Sequence, residues 1–255
     1  MISRKELLSG MRKFPPHFFI GHLLNGFNFK SWPKKIYGLE NLKLLPPDEG
    51  VLFTPMHPYH MDQFILGHIL IISFRKMKRP NQWMYWLVDR RVGFTFKKHP
   101  ICRLIQAELL AGYIGMYYTK SNINRNIHVL NQLSEEIECG GNVMIFPEGK
   151  VDPRKEGRGF WGAAYVASKT DPLIMPVGIR YNLPFKKITG SHFQMFLKGA
   201  RDFFQLKRQM IIRFGQPYHL SDFTPLPVIN SNPDIGRLKE ITGQIILPKI
   251  RQLST

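Results

Sequence analysis

The sequence predicts an α/β domain with a mixed, largely parallel sheet flanked by helices, and an N-terminal interfacial helical segment. Short apolar runs alternate along the chain with segments of helical periodicity, which is typical of strands joined by crossover helices. At 255 residues the chain is long enough for a large buried core, and hydrophobic residues make up 44% of it. These observations indicate a folded domain.

The N-terminal segment, residues 1–30, is predicted to lie on a membrane surface. Its apolar part runs from Phe18 to Phe29 and is interrupted by polar residues, so it is too short for a span of about 20 apolar residues. Basic residues flank it, as in an interfacial anchor, and its sequence has no small-residue cleavage site of a signal peptide. The alternative is a helix that packs on the core of the domain at 31–255.

Six strands are predicted, each from a short apolar run. They lie at 51–57, 82–88, 112–119, 142–146, 173–179 and 209–215. Four helices are predicted from apolar periodicity and from start and stop signals. They lie at 62–74, from 121 or 122 to 139, at 161–169 and at 232–246.

The chain is strongly basic, with 36 Lys and Arg residues against 18 Asp and Glu residues and a net charge of +18. Basic residues cluster at 75–103 and at 186–213. This balance favours an anionic partner, which is a nucleic acid, an acidic membrane surface or a phosphorylated substrate. The two cysteines lack C-x-x-C spacing, so the sequence predicts no zinc ribbon and a reducing compartment.

The stretch TPMHPYHMDQF at 54–64 holds three side chains of metal-ligand type, His57, His60 and Asp62. Their spacing matches neither H-x-H-x-D-H nor H-E-x-x-H, so we expect no metal site. His57 and Asp62 suit a general base and the carboxylate that orients it. They can meet only if His57 lies in the strand-to-helix turn and Asp62 in the first helical turn. The alternative is a capping aspartate beside a turn histidine, and His60 is interpreted as a turn residue.

A second stretch, NVMIFPEGKVDPRKEGRGFWG, lies at 142–162. Its strand ends at a proline, and Glu148 and Gly149 follow in a turn where glycine lets the backbone approach a ligand closely. The cations that come next, including Lys150 and Arg158, are sufficient to hold a phosphate. This loop therefore suits a ligand that carries both hydroxyl and phosphate groups.

Four ordered blocks resemble the glycerolipid acyltransferase family, whose members act on glycerol-3-phosphate, lysophosphatidic acid and other lysophospholipids. The family pattern is N-H-x-x-x-x-D after a strand, then G-x-I-F-x-x-R, then F-P-E-G, then a strand with Pro-Val. The corresponding blocks here are His57 to Asp62, IGMYYTK at 114–120, FPEG at 146–149 and PV at 176–177. The resemblance covers residues from about 35 to 220.

The resemblance implies a role for each matched position. His57 is expected to be the general base on the acceptor hydroxyl, with Asp62 as its partner. Glu148 and Gly149 are expected to belong to the acceptor site. Pro176 is expected to belong to the wall that supports the acyl donor.

Three positions depart from the family pattern. Met56 stands where an asparagine usually precedes the histidine. Lys120 stands where a phosphate-binding arginine is expected, and a lysine holds phosphate as a point charge without the bidentate fork. FPEG continues as KVD and is followed by Trp161-Gly162, which looks like the tafazzin branch of the family.

The resemblance implies an enzyme that moves a fatty acyl group from acyl-CoA or acyl-ACP to the free hydroxyl of a lysophospholipid. The favoured acceptor is 1-acylglycerol-3-phosphate, the setting is phospholipid synthesis, and no cofactor is expected. A transacylase that exchanges chains between phospholipids and lysophospholipids is the alternative within the class.

The non-enzyme alternatives are a basic membrane-peripheral protein and a nucleic-acid-binding protein. Nucleic acid is not expected as a partner, because the aromatic residues lie mostly in apolar runs instead of alternating with basic ones. The predicted location is peripheral, on the anionic cytoplasmic face of a membrane.

Overall fold

The computed structural model describes residues 34–56, 62–77, 84–89, 113–118, 123–148, 159–182, 209–230 and 232–255. The predicted N-terminal segment at 1–30 lies outside them. So do six residues singled out in the sequence: His57, His60, Lys120, Gly149, Lys150 and Arg158.

Seven strands within the described residues form one sheet in the order β1-β7-β6-β2-β5-β3-β4. In chain order they are β1 (Lys34–Tyr37), β2 (Val51–Pro55), β3 (Met84–Asp89), β4 (Tyr113–Tyr118), β5 (Asn142–Met144), β6 (Leu173–Tyr181) and β7 (Met210–Phe214). The strands β6, β2, β5, β3 and β4 run parallel to one another. Strand β7 is antiparallel to β6, and β1 is parallel to β7. The predicted mixed, largely parallel sheet is therefore confirmed.

All six predicted strands are present, with ends that differ by a few residues. Strand β1, at one edge of the sheet, was not among them. Its four residues, KKIY, carry too little apolar pattern to stand out, and it forms by pairing with β7. Edge strands that run antiparallel to the rest of the sheet, as β1 and β7 do here, are common in large mixed sheets.

Five α-helices pack with this sheet in the described part of the chain. They are α1 (Asp62–Lys76), α2 (Ile123–Glu138), α3 (Trp161–Thr170), α4 (Ile235–Ile241) and α5 (Leu247–Gln252). Short 3-10 turns lie at Leu39–Leu44 and Leu220–Asp222. Across the described residues, none of the helices combines the length and apolar character needed to cross a membrane.

The sheet has an apolar core on each face, because successive side chains of a strand point to opposite sides. Val51 and Phe53 of β2 belong to the first core, which α1 covers, whereas Leu52 belongs to the second. The first core includes an aromatic contact between Phe53 and Phe74, whose ring centroids lie 5.9 Å apart. Helices α2 to α5 contribute to the second core. Both faces of the parallel part are thus covered, as the near-continuous apolar runs of its strands require.

The last helical segment begins later than predicted. Its start was expected at Asn232, but α4 begins at Ile235, because the Asp234 side chain caps it by accepting the N–H of Arg237 at 2.9 Å. A π-helical turn at Thr242–Ile246 then joins α4 to α5. Local capping chemistry thus decided between two polar residues, two positions apart, that both suit a helix start.

Candidate active site

The carboxyl ends of β2, β5 and β6 lie side by side at one edge of the sheet, because these strands are parallel and β2 lies between the other two. Ligands of parallel α/β sheets bind at this edge. The residues predicted from the four sequence blocks follow the ends of these strands and of β4, or lie in β6. Their topological placement therefore agrees with a single site.

The end of β2 is held firmly up to the residue that precedes His57. Pro55 pairs with Val177 in register, and the N–H of Met56 donates to the Val177 carbonyl at 3.0 Å. Helix α1 begins six positions later, at Asp62. The predicted placement of Asp62 in the first helical turn is thus present, while His57 lies outside the described residues.

Asp62 is fully buried, with no exposed area. The phenol hydroxyl of Tyr181, at the carboxyl end of β6, donates a hydrogen bond to Asp62 Oδ1. The helix N-terminus also favours negative charge at this position, because the first N–H groups of a helix point toward it. Burial of a carboxylate costs free energy unless the carboxylate is hydrogen-bonded. The end of β6 and the start of α1 both stabilise the buried Asp62.

Glu148 lies four residues after the end of β5 and is 8% exposed. Two hydrogen bonds hold the chain that leads to it. The N–H of Ile145 donates to the Phe53 carbonyl at 3.0 Å, and the N–H of Phe160 donates to the Pro147 carbonyl at 2.7 Å. The second bond brings the start of α3 back against this turn, so Glu148 is held near the edge where Asp62 lies.

Pro176 is buried within β6, opposite Thr54 of β2. Its neighbours Met175 and Val177 belong to the first core, so alternation along the strand turns Pro176 to the other face. Its backbone carbonyl, in the plane of the sheet, accepts the N–H of Gly215 at 2.9 Å. The structure therefore places Pro176 and the α1 face, which carries Asp62, on opposite sides of the sheet, and its role toward the acyl donor stays a prediction.

Two polar residues of this region were not predicted. Tyr181 is the last residue of β6, the strand that carries the predicted Pro-Val block. Its position at the end of a parallel strand is the sequence signal that could have identified it. Thr54 is fully buried at the end of β2, and its hydroxyl has no hydrogen-bond partner within the part of the chain that the structure describes. Neither residue type is distinctive in a strand, since both have high β propensity.

A separate polar cluster lies at the opposite edge, where β6 begins. Asp171 adopts a left-handed conformation (φ 41°) at the end of α3, and its Oδ2 accepts the Ser221 hydroxyl at 2.6 Å. Its carbonyl lies 2.9 Å from Nδ1 of His219. This cluster ties the end of α3 to the 3-10 turn at Leu220–Asp222, so its role is structural.

Among the described residues, no group of three or more His, Cys, Asp and Glu side chains is arranged to hold a metal ion. The two histidines of the first motif lie outside those residues. The spacing of the motif therefore remains the basis for expecting acid–base chemistry at Asp62.

A search of curated proteins finds no match. Among solved structures, the crystal structure of the 1-acyl-sn-glycerophosphate (LPA) acyltransferase PlsC from Thermotoga maritima is similar at a TM-score of 0.49 and 16% identity. The aligned region covers 98% of this chain and 80% of that one.

The family model for acyltransferases matches residues 35–180. This region contains the predicted His57–Asp62 pair, Lys120, Glu148 and Pro176, and it ends one residue before Tyr181. Because the match covers more than half of the 255 residues, the chain belongs to the acyltransferase family and is an acyltransferase.

Proposed function

We propose that the enzyme transfers a fatty acyl group from acyl-CoA or acyl-ACP to the free hydroxyl of a lysophospholipid in phospholipid synthesis. The preferred acceptor is 1-acylglycerol-3-phosphate. The observation that carries this proposal is the fully buried, hydrogen-bonded carboxylate of Asp62 at the start of α1, five positions after His57. An imidazole and an orienting carboxylate are the groups that activation of a hydroxyl requires.

In the proposed reaction, His57 takes the proton from the acceptor hydroxyl as the oxygen attacks the thioester carbonyl of the donor. The tetrahedral intermediate then collapses, the carbon–sulfur bond breaks, and the departing thiolate takes up the proton. Asp62 stabilises the imidazolium that forms between these steps, as a buried carboxylate does beside a catalytic histidine. The reaction needs neither an acyl-enzyme nor a cofactor.

The acceptor is proposed to lie against the turn that follows β5. Glu148 is nearly buried beside the edge that carries Asp62, which supports a contact with a hydroxyl of the glycerol unit. Lys120, Lys150 and Arg158 follow β4 and β5 in sequence and supply the positive charge for a phosphate. These residues support the proposed preference for a phosphorylated acceptor.

The acceptor and the product are both lipids, so we propose that the enzyme works on a membrane surface. Residues 1–30 are the proposed interfacial anchor, and the basic clusters at 75–103 and 186–213 are proposed to face anionic head groups on the cytoplasmic side.

The test is acyl transfer on liposomes that contain lysophospholipid, with radiolabelled acyl-CoA or acyl-ACP as donor. Replacing His57 by Ala is expected to lower kcat by about 10²- to 10⁴-fold, the usual contribution of a general base. His60→Ala is the matched control, because His60 is a nearby histidine without the carboxylate spacing. Near wild-type turnover by His57→Ala, or equal losses in both variants, would contradict the assignment.

A transacylase is the second candidate, favoured by the F-P-E-G-K-V-D sequence followed by Trp161-Gly162. The same liposomes without a thioester donor, but with a labelled phospholipid, distinguish the two reactions. Transfer of the labelled chain to lysophospholipid in this mixture would establish the transacylase. Release of free CoA or ACP with diacyl product would establish the thioester-dependent reaction.

A further inference from the structure

Tyr181 and Asp62 meet at the carboxyl edge although 119 positions separate them in the chain. The phenol hydroxyl of Tyr181 donates to Oδ1 of a carboxylate that has no exposed area. We propose that Tyr181 is a positioning residue of the acyl transfer reaction, which acts by orienting the Asp62 carboxylate. This inference rests on the proposed function of His57 and Asp62.

Both partners of this hydrogen bond are anchored by their own elements. Tyr181, at the end of β6, pairs with Met210 of β7. One residue further along, the N–H of Asn182 donates to the Gln209 carbonyl at 3.1 Å. The Tyr181 ring also packs against the first core. Asp62 is fixed by the start of α1, and Leu66, about one turn further along this helix, has no exposed area.

A hydrogen bond between two anchored groups restricts the rotation of the carboxylate. With Oδ1 held by the phenol, the direction of Oδ2 is set, and we assign Oδ2 to the N–H of His57. Catalysis requires such groups to be held within a few tenths of an ångström, and a positioned partner is the usual means. The phenol adds no net charge, so it orients the carboxylate without neutralising it.

A structural role alone would give different results on substitution. Tyr181→Phe keeps the ring that packs on the core and removes only the hydroxyl. If the hydroxyl positions Asp62, kcat falls by about 10- to 100-fold, which corresponds to one hydrogen bond to a charged group. The KM for the acceptor is expected to change less than twofold, roughly, because the phenol does not touch the acceptor in this assignment.

A double-mutant cycle separates the two roles. Tyr181→Phe is expected to have little further effect on kcat when Asp62 is already Asn, because the carboxylate through which Tyr181 acts is then absent. Fully additive losses would show that Tyr181 acts independently of Asp62 and would overturn the proposal.

Tyr165 provides the matched control. Its phenol is buried in the second core and donates to Asn131 Oδ1 at 2.8 Å, so Tyr165→Phe also removes one tyrosine hydrogen bond. Burial raises the pKa of the Tyr165 phenol, while the bond to Asn131 opposes this, so the Tyr165 phenol is a protonated donor at neutral pH. Tyr165→Phe is expected to lower the thermal midpoint and to leave kcat unchanged.

A measurement without substrate keeps the proposal testable if the proposed function fails. The imidazole of His57 is followed by NMR in histidine-labelled protein and assigned by its loss in His57→Gln. Tyr181→Phe is expected to lower the pKa of His57, because a carboxylate that is free to rotate away from the imidazole stabilises the imidazolium less. An unchanged His57 titration would overturn the proposal, whatever reaction the enzyme catalyses.

Incorporation of 3-fluorotyrosine at position 181 covers the case in which Tyr181→Phe does not fold. The ring and the hydroxyl are retained, and the more acidic phenol is a stronger donor. The His57 pKa is then expected to fall because the stronger donor draws charge from Asp62, whereas kcat stays close to its wild-type value because the carboxylate keeps its orientation. No shift with fluorotyrosine would contradict the proposed coupling, whereas a wild-type enzyme without acyl transfer would contradict only the proposed function.

Discussion

Asp62 is fully buried, yet the proposed mechanism needs its side chain to be charged. These two requirements conflict, because burial disfavours the charged form of a carboxyl group. The helix N-terminus and the Tyr181 hydroxyl reconcile them by offering hydrogen-bond donors and a favourable dipole. A group held in this way can stabilise a neighbouring imidazolium without becoming solvated. At the residue scale, Asp62 is therefore the most constrained part of the site that the structure describes.

Replacing Asp62 by Asn tests its charge while keeping its size. We expect kcat to fall by about 10²-fold or more, because the amide no longer stabilises the imidazolium and favours no single tautomer. The measurement is turnover of acyl-CoA on lysophospholipid liposomes, together with thermal unfolding.

Asp171→Asn is the matched control for this substitution. Asp171 also accepts side-chain hydrogen bonds, but it lies at the opposite edge of the sheet. It is expected to lower the thermal midpoint and to leave kcat unchanged. An Asp62→Asn enzyme with wild-type kcat would remove Asp62 from the mechanism.

The proposed phosphate contacts are tested by neutralising Lys120 and Arg158 separately. Each change to Ala is expected to raise the KM for 1-acylglycerol-3-phosphate by about 10-fold and to lower kcat less, because a phosphate contact binds ground state and transition state alike. Lys169→Ala is the control, since Lys169 is an exposed cation on α3 that donates to Asn131 at 2.6 Å. Equal KM increases for a neutral monoacylglycerol would argue against phosphate recognition.

At the scale of elements, the end of α2 packs against the start of β2, the strand that leads to the candidate site. We call this contact the joint between α2 and β2. Helix α2 was predicted from its periodicity and its glycine stop, and Gly140 adopts a φ of 78° just after it. The N–H of Val51 then donates to the Gly141 carbonyl at 3.2 Å, so the end of this helix meets the start of β2. That strand carries the chain directly toward His57.

Gly50 is the tightest point of this joint. A Cβ at position 50 would lie 2.1 Å from the Ile137 carbonyl oxygen, so α2 or β2 would have to shift. We expect Gly50→Ala to destabilise the protein by about 1–3 kcal/mol or more, the usual cost of overpacking. Chemical denaturation monitored by circular dichroism measures this change.

The same substitution at Gly243 is the control. A Cβ there would meet no atom within 4 Å, and the residue is helical, so Gly243→Ala is expected to be neutral or slightly stabilising. If both variants lost the same stability, the cost would come from removing glycine itself and not from the contact with α2.

At the scale of the whole molecule, the net charge of +18 bears on where the proposed reaction takes place. Each Lys or Arg near an anionic bilayer contributes about 1 kcal/mol of attraction, and salt screens this attraction. We therefore expect tight binding to anionic vesicles at low salt and weaker binding at high salt, measured by vesicle sedimentation. Neutral vesicles are the control, and equal binding to both kinds of vesicle at every salt concentration would contradict an electrostatic contribution.

Removal of residues 1–30 separates charge from the proposed anchor. The shortened chain is expected to keep its salt-sensitive binding to anionic vesicles and to lose the binding that persists at high salt. Unchanged binding at high salt would assign the membrane contact to another part of the chain.

Much of the fold was predictable because its signals are local. The apolar runs, the periodicity of α2 and the proline that follows Phe146 each act within a few residues. The start of the last helix was misplaced, since Asn232 and Asp234 are both good capping residues and only the Asp234 contact with Arg237 selects one. Strand β1 was missed because it exists through its pairing with β7.

By itself the sequence determined the order and type of the central elements, the acyltransferase family and the placement of Asp62 at a strand-to-helix transition. These depend on neighbouring residues and on short motifs. The tertiary structure decided that Tyr181 hydrogen-bonds to Asp62 and that Pro176 faces the other side of the sheet from α1. The reason is that β6 pairs with β2 across more than a hundred residues, and only the strand order of the folded sheet establishes that neighbourhood.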